Sequence, residues 1–119
     1  MTYIDGFVLA VPTAKKDAYR AHAESVIGMF RRYGAVQMME TWGVDVPDGK
    51  LTSFPMAVKL QPDETVVFSW VVWPDKATRD KAWADMPNDP QMSETTEVPF
   101  DAKRMIFGGF EPLLEVKLD

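Results

Sequence analysis

Two side chains carry most of the chemistry that this sequence offers, His22 and Glu40. His22 is the only histidine in the chain, and imidazole is the side chain whose ordinary pKa, about 6.5, lies nearest neutrality. Glu40 alternates with Met38 and Trp42 on one side of a predicted strand. A carboxylate on an apolar face must be paired, hydrogen-bonded or protonated, and such groups concentrate at functional sites. His22 and Glu40 are therefore the predicted catalytic residues.

Each of the two residues also has a purely structural interpretation. His22 lies at the edge of a helical apolar stripe, where it would act as a general base or bind a ligand, or would be a half-buried histidine held by a carboxylate or backbone group. In a functional site, its ring should line a cavity with one nitrogen free and the other held by Glu40, a backbone carbonyl or another acceptor. Glu40 would line a pocket or form an ion pair with Arg104 that fixes strand register.

Five further residues are predicted to contact a ligand: Trp42, Trp70, Arg104, Phe107 and Glu111. The aromatic residues among them equally suit a hydrophobic core or a subunit interface. Asp5 and Glu111 are charges in two strands that should be central, where each would bond to a neighbouring chain or line a cavity. No cofactor or metal is predicted, because the chain has no cysteine, one histidine and no nucleotide-binding or hydrolase motif.

The composition places limits on the class of protein. A chain of 119 residues is predicted to form one domain, residues 1–119. A net charge of -5 without a basic block argues against a nucleic-acid partner. No apolar run approaches the roughly 20 residues of a membrane span, and the N-terminal segment carries Asp5 where a signal peptide would be basic. We therefore expect a cytoplasmic protein that does not enter a membrane.

The elements that must position these residues follow from hydrophobic spacing and from turn signals. Apolar residues from Tyr19 to Phe30 recur at helical intervals, and Gly34 suits a left-handed helix end. The predicted strands span residues 3–11, 35–46, 64–73 and 103–111, and the predicted helices span 14–33 and 76–86. A helical turn after Ser53 interrupts a long loop, and another turn begins at Pro90. The pair Gly108 and Gly109 indicates a bulge or a close backbone approach.

The strand at residues 64–73, "ETVVFSWVVW", is apolar on both faces. The order β-α-β-β-α-β predicts an α+β protein of the ferredoxin-like type, with both helices on one face of an antiparallel sheet. No segment remains to cover the other face. A second copy of the sheet would cover it, which predicts a homodimer whose two sheets pack face to face as a dimeric α/β barrel.

Several segments together resemble the YbaA-like family of uncharacterised bacterial proteins: "DGF", "AYRAHAE", "YGA", "ETWGVDVPDGKLTSF", "VVFSWVVWP", "RD" and "PFDAKRMIFGGFEP". The resemblance spans nearly the whole chain. It implies the dimeric α/β-barrel superfamily, in which ferredoxin-like subunits pair through their sheets, and it implies no activity.

Three functions fit the sequence. The first is a cytoplasmic homodimer that binds a small, mostly apolar molecule between sheet and helices. The second, drawn from the superfamily resemblance, is a cofactor-independent enzyme of the monooxygenase or isomerase type with His22 as general base. The third is a structural dimer without chemistry. A preformed cavity with convergent polar groups separates the first two from the third.

Overall fold

The sheet has four antiparallel strands: β1 (Tyr3–Pro12), β2 (Gln37–Trp42), β3 (Glu64–Trp73) and β4 (Ile106–Phe110). The structure is a computed structural model that describes residues 2–94 and 98–118. The strands lie in the order β2-β3-β1-β4, so the strands that follow the two helical crossovers, β2 and β4, form opposite edges. This is the predicted ferredoxin-like arrangement.

In the part of the chain that the structure describes, five short helices join the strands: α1 (Lys16–Ser25), α2 (Ile27–Arg32), α3 (Phe54–Ala57), α4 (Lys76–Asp85) and α5 (Pro90–Glu94). Single 3₁₀ turns occupy Thr13–Lys15, Met86–Asn88 and Ala102–Arg104. Ser53 caps α3 by accepting from the Met56 amide at 3.1 Å, and Asp75 caps α4 by accepting from the Thr78 amide at 2.7 Å. The predicted helical turns after Ser53 and at Pro90 are confirmed.

The predicted first helix is divided at Val26. The Val26 amide donates to the Ala23 carbonyl at 3.3 Å. The His22 carbonyl, its α-helical partner, accepts from the Ser25 hydroxyl at 2.6 Å. A serine side chain that bonds the backbone in this way competes with regular helix. The predicted end at Gly34 is confirmed, with φ at 104°.

The last strand is shorter than predicted. Instead of beginning at Lys103, β4 begins at Ile106, because Asp101 accepts from the Lys103 amide at 3.0 Å and holds a 3₁₀ turn there. The ladder with β1 is continuous through Gly108 and Gly109, so the predicted bulge is absent. The close approach is present instead, since a Cβ on Gly109 would lie 2.9 Å from Arg79 Nη2.

The two faces of the sheet differ. Both long helical regions pack on one face, where Met29, Val71, Trp73, Ala82 and Met86 form a buried cluster. The other face is covered at one end by the loop around α3, through Val58. The rest of it, which we call the open face, is apolar and exposed at Met39, Phe68, Ile106 and Phe110. Within residues 2–94 and 98–118, no helix has the length and apolar character needed to cross a membrane.

Candidate functional site

A cavity of about 380 Å³ lies between the sheet and the helices. Strands β1, β2 and β3 form its floor, and α1, α2, α4 and the segment that leads into β4 form its walls. Most of the wall is apolar, including Phe7, Leu9, Met29, Met38, Val71 and Phe100. Cavities of this size and character are typical of sites for small ligands.

Four polar residues also line this cavity: Tyr19, His22, Glu40 and Ser69. Glu40 lies on β2 opposite Ser69 of β3, which is buried, so both face the helices. The Tyr19 hydroxyl donates to Glu40 Oε1 at 2.5 Å. The side of β2 that was predicted to be apolar with a single carboxylate therefore faces the cavity. Tyr19 is the hydrogen-bond partner of that carboxylate, Glu40.

The environment shifts the pKa of both members of this pair. Burial raises the pKa of the Glu40 carboxyl, and the hydrogen bond from Tyr19 opposes that rise. The pKa of the Tyr19 phenol is raised by burial and, in addition, by the hydrogen bond to the neighbouring carboxylate and its charge. The phenol therefore stays protonated and acts as a donor, while the carboxylate is more basic than an exposed one.

His22 lies one turn after Tyr19 on α1, and the two rings share one neighbour. Phe100 packs edge to face on both, with centroid distances of 5.9 Å to Tyr19 and 6.0 Å to His22. Burial lowers the pKa of the imidazole, which favours the neutral ring with one donor and one acceptor nitrogen.

The expectation for His22 is met in part. The ring lines the cavity, as a functional histidine should. Among the residues that the structure describes, however, neither ring nitrogen has a hydrogen-bond partner, so the predicted holding contact is absent. Glu40 is engaged by Tyr19 instead.

The predicted pairing of Glu40 with Arg104 is wrong. Arg104 bonds Glu64 at 2.6 and 2.8 Å and Asp101 at 2.9 Å. Glu40 is on β2 and Arg104 precedes β4, and these strands are opposite edges of the sheet. Arg104 therefore lies at the Glu64 end of β3. Glu40 pairs with Ser69, five residues further along that strand and on its opposite face.

The other predicted ligand contacts lie outside the cavity wall. Trp42 lines an adjoining groove beside α1, with Lys16 Nζ 5.3 Å from its ring centroid. Trp70 lies on the open face, in contact with Phe68. Phe107 on β4 is 73% exposed, and Glu111 follows β4 at the surface. Their role in ligand binding stays a prediction.

A second polar cluster, the Asp5 hub, lies beside the cavity and consists of Asp5, Arg79, Trp73 and Trp83. Asp5 is 3% exposed. It accepts from the indoles of Trp73 at 2.9 Å and Trp83 at 2.8 Å, and from Arg79 Nη2 at 2.9 Å. The Asp5 carboxylate therefore bonds within its own chain, and it is not among the residues that line the cavity.

Sequence reasoning missed Tyr19, Ser69 and Phe100 as members of the site. Tyr19 was assigned to the apolar stripe of the first helix, where its hydroxyl carries no separate signal. Its spacing of three residues from His22 places both on one helix face, and that spacing was the available indication. Ser69 was visible as the one small polar residue within the apolar strand 66–73.

Comparisons with known proteins confirm the resemblance. The family model described as "Protein of unknown function (DUF1428)" matches residues 2–102. "Uncharacterized protein YbaA" of Escherichia coli strain K12 is 53% identical over 116 residues, which cover 97% of this chain and 99% of that protein.

Solved structures with little sequence identity have a similar fold. A dimeric ferredoxin-like protein from an uncultured marine organism has a TM-score of 0.60 at 9% identity, covering 98% of this chain and 100% of that one. SnoaB, a cofactor-independent oxygenase from Streptomyces nogalater, has a TM-score of 0.51 at 15% identity, covering 97% and 94%.

Proposed function

The chain belongs to the DUF1428 family of proteins of unknown function, and we propose that it is a homodimer that binds a small, mostly apolar molecule between the sheet and the helices. The observation that carries this proposal is the cavity of about 380 Å³. Its apolar wall supplies affinity, and Tyr19, His22 and Glu40 supply polar contacts that orient a ligand.

The open face supports the homodimer. Two of its large apolar side chains are exposed. Phe68, on the inner strand β3, is 44% exposed, and Phe110, on the edge strand β4, is 60% exposed. Exposed apolar surface of this kind is typical of protein interfaces. A second copy of the same face would bury it, as expected from the two-sided apolar strand β3, and we expect the interface to exceed the roughly 1,600 Å² of a standard one.

The enzymatic alternative rests on His22. Its ring is favoured in the neutral form, lines the cavity and has free nitrogens among the described residues, which are the properties that a general base needs. The similarity in fold to a cofactor-independent oxygenase adds a reaction class to test, and a fold alone does not assign one. In the third alternative, a structural dimer, the cavity would have no ligand.

A thermal-shift screen against a metabolite library tests ligand binding. A ligand at about 100 times its Kd stabilises a protein by roughly 2.7 kcal/mol. We expect hits with the parent protein, and we expect His22→Ala to retain the dimer and lose the ligand-induced shift. Arg31→Ala is the matched control, because Arg31 is exposed on the neighbouring helix and outside the cavity wall.

Two outcomes would contradict this role of His22. If His22→Ala bound each hit as tightly as the parent, His22 would not belong to the site. If the variant retained binding and mainly lost stability, through the lost contact of its ring with Phe100, the histidine would be structural. A library without any hit would favour the structural dimer.

Light scattering at micromolar concentration tests the dimer. We expect twice the chain mass of 13.5 kDa. Phe68→Lys should give monomers or insoluble chain because it places a charge on the open face. Ile27→Lys, at an exposed position of α2 on the opposite side of the sheet, should not. A parent protein with the mass of a single chain would refute the proposal.

Oxygen consumption with an electron-rich aromatic substrate tests the enzymatic alternative. Turnover that His22→Ala abolishes and Arg31→Ala retains would favour the enzyme. Binding without turnover would favour the binding protein.

A further inference from the structure

The charges at the cavity are unevenly distributed. Glu40 is the one carboxylate among its described wall residues, and no lysine or arginine occurs among them. His22 is the one other titratable base there, and burial disfavours its cationic form. The cavity therefore presents negative charge and hydrogen-bond acceptors, without a fixed cation to balance an anionic ligand.

The Glu40 carboxylate has unused capacity as an acceptor. Tyr19 donates to Oε1, and among the residues described no donor reaches Oε2. An ionised carboxylate has sites for about four hydrogen bonds and cannot donate. A ligand that satisfies it must bring an O–H or N–H group.

The adjoining groove is lined by two cationic side chains, Lys16 and Arg20. Lys16 lies over the Trp42 ring, and Arg20 bonds Glu24 at 3.0 Å. Both line the groove and not the cavity wall, while Tyr19 and Glu40 line both spaces. Glu40 therefore lies between those cations and the apolar interior.

Resting on the proposed function, we propose that the cavity selects neutral or cationic apolar molecules whose O–H or N–H group donates to Glu40, and that it rejects carboxylates. An anionic ligand beside Glu40 would place two like charges next to each other at an apolar wall that contains no lysine or arginine among its described residues. A donor on the ligand would instead form a charge-assisted hydrogen bond.

Four naphthalene probes that differ in one substituent test this selectivity: 2-naphthol, 2-naphthylmethylamine, 2-methoxynaphthalene and 2-naphthoate. Calorimetry or fluorescence titration at neutral pH gives their affinities. We expect 2-naphthol and the amine to bind roughly 10-fold or more tightly than the methoxy probe, the factor for one hydrogen bond to a charged group. We expect 2-naphthoate to bind more weakly than the methoxy probe.

Glu40→Gln connects the selectivity to its residue. The amide is nearly isosteric and neutral, so the rejection of 2-naphthoate should relax and the preference for the amine should fall. Asp48→Asn, which removes an exposed carboxylate in the turn after β2, should leave all four affinities unchanged. Circular dichroism of each variant verifies folding.

The outcomes distinguish this inference from the proposed function. If all four probes bind equally, the cavity binds apolar molecules and the selectivity is refuted. If 2-naphthoate binds most tightly, or if Glu40→Gln leaves the order unchanged, the assignment to Glu40 is refuted. If none of the probes binds, both proposals are refuted for molecules of this class.

Discussion

Two carboxylates on the helix-facing side of one sheet have different surroundings. Asp5 accepts hydrogen bonds from two indoles and from the Arg79 guanidinium, and it is buried. Within residues 2–94 and 98–118, Glu40 accepts one hydrogen bond, from Tyr19. It lines a cavity and remains accessible to solvent. The Asp5 carboxylate has several hydrogen-bond donors within its own chain, whereas the Glu40 carboxylate can still accept hydrogen bonds from a ligand.

The difference indicates which polar group is structural and which is available for a ligand. The Asp5 hub joins β1 to α4 and fixes Trp83, which also lines the cavity. A buried charge with all its partners gives a defined geometry, and losing one partner is costly. A partly satisfied carboxylate beside an apolar space is instead suited to exchange a hydrogen bond with a ligand.

The largest expected effect is the contrast between Asp5→Asn and Glu40→Gln. Asp5→Asn leaves Arg79 without its buried counter-charge, and we expect a loss of about 3 to 5 kcal/mol in the free energy of unfolding. Glu40→Gln removes a charge that burial disfavours, so we expect a change within about 1 kcal/mol. Urea denaturation at one fixed protein concentration measures both. Equal losses would contradict the comparison.

A smaller effect is expected for Gly109→Ala, which tests how closely the hub is packed against β4. An added Cβ would lie 2.9 Å from Arg79 Nη2 and closer still to the Tyr3 hydroxyl. Displacing these groups should cost about 1 to 3 kcal/mol, the usual range for overpacking. Gly108→Ala is the matched control, because the nearest atoms there lie at an ordinary 3.6 Å. Equal stability of the two variants would show that the hub adjusts freely.

The smallest expected effects concern the pH dependence of stability. His22 and Glu40, both at the cavity, should change stability in opposite directions as the pH falls. Because the pKa of His22 is lowered on folding, the unfolded chain binds more protons, and stability should fall as the pH falls below the ordinary value of 6.5. His22→Phe should reduce this loss between pH 8 and pH 5.5. Melting curves across that range measure the effect, and an identical pH slope in the variant would contradict the burial of the ring.

Glu40 should make the folded chain more stable, relative to the unfolded chain, as the pH falls. Its pKa is raised on folding, so the folded chain binds the proton first, and its contribution to stability grows as the pH falls toward the ordinary value of 4.5. Glu40→Gln should therefore lose more stability on acidification than the parent. A smaller loss in the variant would mean that hydrogen bonding outweighs burial at this carboxylate.

The fold was predictable because its signals are local and repeated. Strand β3 was predicted with its observed bounds, Glu64–Trp73, because Pro74 ends it and apolar residues fill both faces. The caps at Ser53 and Asp75 follow from side-chain chemistry at the first turn. The break at Val26 was not predicted, since it depends on the rotamer of Ser25 and not on hydrophobic spacing.

The site was predictable only in part. Alternation correctly placed Glu40 on the same side as Met38, and helical spacing brought His22 to the cavity. The pairing with Arg104 failed because opposite charges were matched without knowing the contact of Arg104 with Glu64, which holds it at the end of β3, away from Glu40. The Asp5 hub joins residues that are 68 to 78 positions apart, and single-sequence patterns do not specify such contacts.

The four tryptophan indole N–H signals in an ¹H–¹⁵N correlation spectrum test the central claim most directly, with a ligand identified in the screen or with 2-naphthol. Trp83 lines the cavity, Trp42 lines the groove and Trp70 lies on the open face. We predict that the ligand shifts the Trp83 signal most and leaves the Trp70 signal in place. A shift confined to Trp70, with Trp83 unchanged at saturating ligand, would place binding on the open face and contradict the account.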